Sequence, residues 1–304
     1  MKKFIAAFAI LALLLCVSPD SNASASVLWD GMELKKGQIG RVTFNEPINM
    51  WKRSESGLVF VRILKKGERY RVYRMDSAYG GQFGLGGNLY ITNIPERVKY
   101  ETPSAEKRML LGCESSCLIR QIVSLPQGSY DKGEADEILQ RLETLPVPLL
   151  QQVYLNKISI LLTNGPITDT SEFAYLRGIT PRGWEGTNKT WDDIPGIGGT
   201  KTVAIRIGYS HRGAGHGSIN LELHELAHSL DSIVKNQISS GKIFTSIWEN
   251  EKENLFPKEN YYTGYAEEFF AESFAMYYLD ESSNKLLKKK APRTYEFIRS
   301  MKWQ

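Results

Sequence analysis

The sequence predicts an α+β fold, with a small β module leading into a larger unit in which a mixed sheet carries helices. Three observations lead there. Residues 27–100 run in short alternating segments divided by glycine turns. Beyond about residue 105 the apolar period lengthens from two to three or four. A chain of 304 residues also exceeds the usual size of one domain, which favours a large unit beside a smaller one.

In chain order, the opening "MKKFIAAFAILALLLCV" places Lys2 and Lys3 before an apolar run too short to span a bilayer comfortably. The following Ala23-Ser24-Ala25 is a small-residue cleavage pattern, so residues 1–25 are expected to be a secretory signal peptide cleaved near Ala25. Lipid attachment at Cys16 is the weaker alternative, because Leu15 stands where such sites want a small residue. A secreted mature chain would keep Cys113 and Cys117, in "CESSC", within an oxidising compartment where one local disulfide can form. Two thiols alone make an incomplete zinc site, and so short a loop would add little stability by chain entropy.

Segments "IGRVTF", "LVFVRIL" and "RYRVYRM", separated by "KKG" and "GGQFGLGG", read as a small barrel or sandwich over residues 26–105. They resemble the SH3-like modules of secreted bacterial proteins, which implies a surface-binding accessory and a cell-surface ligand as partner. The polar stretch "YETPSAEKRM" marks the boundary, leaving 106–304 as the second unit. There "GEADEILQRLETL" spaces Ile138, Leu139 and Leu142 as a helix that Pro146 ends, and "KISILLT" reads as a buried strand. "KTVAIRIG" alternates Val203, Ile205 and Ile207 with Ala204 and Arg206, predicting a strand with one exposed face; an edge that pairs with an extended peptide and an ordinary sheet strand are equally open readings of it. With 38 basic against 34 acidic residues and no long block of one sign, nucleic acid is not an expected partner. The late "NKLLKKKAPR" reads as a solvated helix face. Nothing in the pattern speaks to oligomeric state.

The stretch "LELHELAHSLDS" carries the chemistry. Leu223, Leu226, Ala227, Leu230, Ile233 and Val234 form one helical stripe, so His224 and His228, four apart, share another face and can point at one ion. This H-E-x-x-H spacing offers two imidazole ligands and a carboxylate, Glu225, able to take a proton from water. A catalytic zinc usually takes three protein ligands. The metzincin extension fails, since Asp231 and Val234 occupy the positions of its glycine and histidine. A later helix, "YAEEFFAESFAMYY", sets Glu268 and Glu272 one turn apart with Ala271 and Ala275 nearby, small enough for close approach; Glu268 is the expected third ligand of one Zn2+ per chain. His211 and His216, in "SHRGAGHG", are expected to lie outside the ligand set.

"GHGSINLELHELAHSLD", "YAEEFFAESFA" and "APRTYEFI" together resemble the catalytic domain of anthrax lethal factor and its relatives, the secreted Pro-Pro endopeptidases; "RGITPRGWEGTNKTWDDIPG" is similar to the latter group in particular. The resemblance covers roughly the last three-fifths of the chain. It implies a zincin-type metalloprotease domain with His224, His228 and Glu268 on zinc and Glu225 as general base. Tyr261 matches the family's oxyanion-stabilising tyrosine, with Tyr262 and Tyr265 as neighbouring alternatives. Glu272 matches an outer acidic position and Asp231 follows the second histidine as in the family; either could orient a ligand imidazole, or be a solvated helix acid. Trp191 could offer a flat wall to a proline ring, and Lys189 could pair with Glu267 to frame the cleft; core and surface roles for the tryptophan and lysine are equally open. The expected protein is a secreted zinc endopeptidase acting on extended, proline-containing segments of secreted or surface proteins. Its rivals are a toxin-like protease acting on host proteins, a metal buffer, and an inactive surface-binding protein on the same fold, which the intact ligand set with Glu225 opposes.

Overall fold

A computed structural model describes residues 26–303, so the expected signal segment, with Cys16 and the Ala25 cleavage point, lies outside the described residues. The chain opens with a hairpin, β1 (Leu28–Trp29) and β2 (Met32–Glu33). Eight strands follow: β3 (Gly40–Phe44), β4 (Ile48–Ser54), β5 (Gly57–Leu64), β6 (Arg69–Val72), β7 (Arg74–Asp76), β8 (Gln82–Gly86), β9 (Leu89–Thr92) and β10 (Val98–Glu101). They form two antiparallel sheets, ordered β10-β3-β6 and β5-β4-β9-β8-β7. Alternate residues from both, among them Val42, Phe44, Met50, Leu64, Val72 and Ile91, close one small core.

The second unit starts with α1 (Ala105–Leu110), α2 (Ser115–Ile122) and the short β11 (Val123–Ser124), then α3 (Lys132–Glu143) and α4 (Val147–Leu155). Ser104 and Asp131 cap α1 and α3 by accepting from the N–H of Lys107 and Glu134. Cys113 and Cys117 are joined by a disulfide just before and within α2. Strands β12 (Ser159–Thr163), β13 (Gly196–Ile197) and β14 (Thr202–Arg206) complete a sheet ordered β11-β12-β14-β13, parallel except for β13. After it come α5 (Leu221–Ser229), with a wider turn at Leu230–Val234, and then α6 (Lys242–Leu255), α7 (Asn260–Gly264), α8 (Ala266–Leu279), α9 (Glu281–Lys290) and α10 (Pro292–Arg299). No helix among the described residues is long and apolar enough to cross a membrane.

Two features depart from the sequence reading. Strand β14 is not exposed on one face: Val203 and Ile205 enter the main core, but Ala204 is also buried, under Ile167 and Phe173 with Trp191 and Ile197. The alternating pattern misled because the loop between β12 and β13 brings its own apolar residues over the second face. Nor is β14 an edge, since β12 and β13 flank it; the free edge near the histidines belongs to β13. In addition, Val27, Trp29 and Leu34, at the start of the expected β module, are buried in the core of the larger unit rather than in the core of the two β sheets.

Candidate metal centre

Helix α5 is set by Asn220, whose side chain accepts from the Leu223 N–H at 3.0 Å, and by the buried stripe Leu223, Leu226, Ala227 and Leu230. That stripe leaves His224 and His228 together on another face, with His224 buried against α8. Helix α8 lies across α5, buried along most of its length; Ala227 on one helix and Ala271 and Ala275 on the other carry so little bulk that the backbones approach closely. Glu268, in the first turn of α8, therefore meets the histidines. Its Oε2 lies 3.2 Å from Nε2 of His224 and 3.2 Å from Nε2 of His228, and the two Nε2 atoms are themselves 3.2 Å apart. An ion with bonds of about 2.0–2.1 Å to a tetrahedral set needs donors roughly 3.3 Å apart, so the three atoms fit zinc.

Charge leads to the same conclusion. His224 Nδ1 sits 3.1 Å from Oε2 of Glu272, and donating there leaves Nε2 as a lone pair facing the other two donors. Glu272 is fully buried, and its Oε1 accepts from the Ile219 N–H and from Arg212, each at 2.8 Å. Three converging lone pairs repel unless a proton or a cation sits among them. In the metal-free protein a proton does so: burial pushes His224 down, but hydrogen bonds to Glu268 and Glu272 outweigh it and raise its pKa to about 10. Burial would raise Glu268, yet the same imidazoles hold it far below the usual carboxylate range.

Glu225 follows His224 on α5 and reaches the cavity floor beside the histidines. Burial raises its pKa, with the two histidines opposing, and the N–H of Gly198 donates to its carboxylate. The loop after β13 passes so close that a Cβ at Gly198 would overlap the Glu225 carbonyl. Tyr261 lines the same cavity, and burial followed by the nearby Glu268 carboxylate raises its pKa. Its ring lies against Gly183, where a Cβ would come within 2.9 Å. Tyr262 is instead buried against Phe256, ring centroids 4.6 Å apart, and Tyr265 precedes α8 beneath Arg182.

The cavity holds about 390 Å³, with Trp184, Trp191, Ile194 and Ile197 forming its apolar side. A second, polar cleft of about 330 Å³ borders His228 and Glu267, lined by Ser232, Gln237, Ser239 and Ser240. Of the residues singled out from sequence, Trp191 and Glu267 line the main cavity and Lys189 does not. Lys189 is exposed on the loop, and Glu267 pairs with Arg182 at 2.8 Å, a planar fork that also reaches Glu268. Asp231 touches neither imidazole; its carboxylate accepts from the N–H and hydroxyl of Ser239 at 2.9 and 2.6 Å, pinning the turn after α5. His216 bonds the Tyr209 carbonyl and the Ser218 N–H, and the backbone of His211 bridges that of Asn220, so neither joins the cluster. Sequence reasoning passed over Arg182, Arg212 and Gly198, and it read Trp184 only as a possible core residue, whereas that tryptophan lines the cavity. A lone arginine or glycine carries no periodic signal, although Arg182, Gly183 and Trp184 all fall within the family-like "TPRGW".

Comparison with known proteins identifies the family. The family described as "Anthrax toxin lethal factor, N- and C-terminal domain" matches residues 113–301. A Pro-Pro endopeptidase of Clostridioides difficile (strain 630) is 49% identical over 183 residues, 60% of this chain and 82% of the relative. A Pro-Pro endopeptidase of Paenibacillus alvei is 41% identical over 185 residues, 61% of this chain and 85% of that one. The solved structure of the Paenibacillus alvei endopeptidase superposes with a TM-score of 0.58 at 42% identity, covering 60% of this chain and 98% of that chain. With its mixed α+β architecture and these relatives, the chain belongs to the anthrax lethal factor-like family, on the branch that contains the Pro-Pro endopeptidases.

Proposed function

We propose that the protein is a secreted, zinc-dependent endopeptidase that cleaves extended, proline-containing segments of secreted or surface proteins. The observation that carries this reading is the triangle of His224, His228 and Glu268 donor atoms with Glu225 beside it. When bound there, zinc would polarise the scissile carbonyl and acidify water, lowering its pKa to about 7. The chain's own residues supply the rest. Glu225, raised by burial, takes a proton from the attacking water and delivers it to the departing nitrogen. Tyr261 keeps its proton and offers the hydroxyl to the oxygen on which charge gathers. Glu272 holds His224 in the tautomer that leaves Nε2 free.

Several features support proline-containing substrates. A proline nitrogen cannot donate to an edge strand, so shape must replace part of the usual pairing along β13. Trp184 and Trp191 supply flat apolar walls for such rings. The Pro-Pro endopeptidase relatives point to the same substrate class. For residues 26–105, an SH3-like accessory that holds the enzyme to a surface is supported by the exposed Val59, Phe60, Val61 and Ile63 on β5. Export rests on the opening residues 1–25 and their cleavage pattern near Ala25.

The test uses purified full-length protein and a mixed peptide pool containing Pro-Pro sequences, with a chelator control. About one zinc per chain is expected, with products cut between prolines. Glu225→Ala should keep its zinc and lose about 10²–10⁴-fold in turnover. Equal turnover by that variant would remove Glu225 from its role, and products cut at random would remove the proline specificity.

A further inference from the structure

Arg182 reaches the centre from a loop 86 residues before Glu268 in sequence. Its Nη1 lies 2.8 Å from Oε1 of Glu267, its Nη2 lies 3.1 Å from Oε1 of Glu268, and its guanidinium stacks 4.2 Å above the Tyr265 ring. Glu268 thus spends its two oxygens differently: Oε1 on Arg182, Oε2 on the two histidines. Without a partner for Oε1 the carboxylate could rotate about its last bond or offer both oxygens to a cation. Glu267 and Glu268 are also adjacent like charges in the first turn of α8, and one planar fork between them relieves that repulsion while fixing both directions.

We propose that Arg182 is a positioning residue of the metal centre, holding Glu268 by its outer oxygen so that the other alone faces the ion. The inference rests on the zinc reading given above, and it makes a prediction opposite in sign to simple electrostatics. A guanidinium this near a divalent cation repels it, so deleting the charge should tighten metal binding if charge were all that mattered. If Arg182 acts by holding Glu268, deletion weakens binding instead. Replacement by lysine, which keeps the charge but loses the fork, should weaken it as well.

The experiment measures zinc affinity of the full chain by competition with a chelator of known affinity, at one pH, for wild type, Arg182→Lys and Arg182→Met. Melting of the zinc-free proteins is followed alongside. Both variants should bind zinc about 10–100-fold more weakly, the range usual for losing a residue that orients a ligand, with zinc-free melting unchanged because the side chain is half exposed on a surface loop. The inference is overturned by a variant with wild-type affinity, by tighter binding in Arg182→Met, or by a loss of affinity matched by lost folding in both variants. A wild type that takes up no zinc sinks the proposed function and this inference together; a zinc-binding wild type with unaffected variants sinks the inference alone.

Discussion

Glu225 is placed by an absence. The backbone after β13 runs against α5 because Gly198 has no side chain, and that contact delivers the N–H that steadies the carboxylate. Gly198→Ala must push the loop and α5 apart, and we expect hydrolysis to fall at least tenfold, the cost of roughly 1.4 kcal/mol in the transition state; steady-state kinetics beside a zinc titration would show the loss with metal retained. At Tyr261, replacement by Phe would, under the proposed function, delete one donor to the developing oxyanion. We expect about 10²–10³-fold in kcat with KM little changed, and a KM-only effect would reassign the tyrosine to substrate binding. The histidine pair and Glu225 were legible from spacing alone, because four residues make one helical turn. The partner of His224 was not settled: Asp231 and Glu272 read alike as helix acids, and only the packing of α8 brings Glu272 to Nδ1 while Ser239 takes Asp231.

Between elements, the α5–α8 crossing decides whether the donors meet. Ala271 is completely buried near that crossing, so Ala271→Leu should cost about 1–3 kcal/mol by overpacking and should weaken zinc binding as Glu268 retreats. Denaturant melts and zinc titrations on the variant would check both halves. The same crossing makes the metal-free protein sensitive to pH. His224 is raised from 6.5 to about 10, so its contribution to stability is complete below about pH 6.5 and fades as pH climbs toward 10. Glu268 is lowered from 4.5, so its contribution is complete above that value and fails in acid. Zinc-free protein should therefore be steadiest between about pH 4.5 and 6.5, and zinc affinity should fall with falling pH as protons compete for the same atoms. Urea melts across pH, with and without zinc, would expose either sign as wrong. The small residues that permit the crossing were visible in "YAEEFFAESFA". The second buried face of β14 was not, since the residues covering it arrive from a loop without periodicity.

Among the described residues two large apolar cores lie beside a small third cluster over β14, and the division between the two large ones does not follow sequence order. The polar stretch near residue 101 was a readable boundary, yet Val27, Trp29 and Leu34 belong to the far side of it. Distant packing of that kind leaves no local mark in the residues themselves. A fragment starting at residue 103 keeps the family-matched residues 113–301 but loses those three side chains, each worth about 1.5–3 kcal/mol when fully buried, as an upper bound. It should fold and melt on the order of 10 °C below the full chain; equal melting in calorimetry would show that the N-terminal hairpin contributes nothing.

Glu268 stands 40 and 44 residues from the two histidines, with the helices α6 and α7 intervening. An unfolded chain can present at most the two imidazoles of one nascent turn, a poor chelate. Under the proposed function, metal uptake would thereby be a proofreading event: zinc would be held tightly only once the late helices have docked, and each bound ion would in turn drain the unfolded population by mass action.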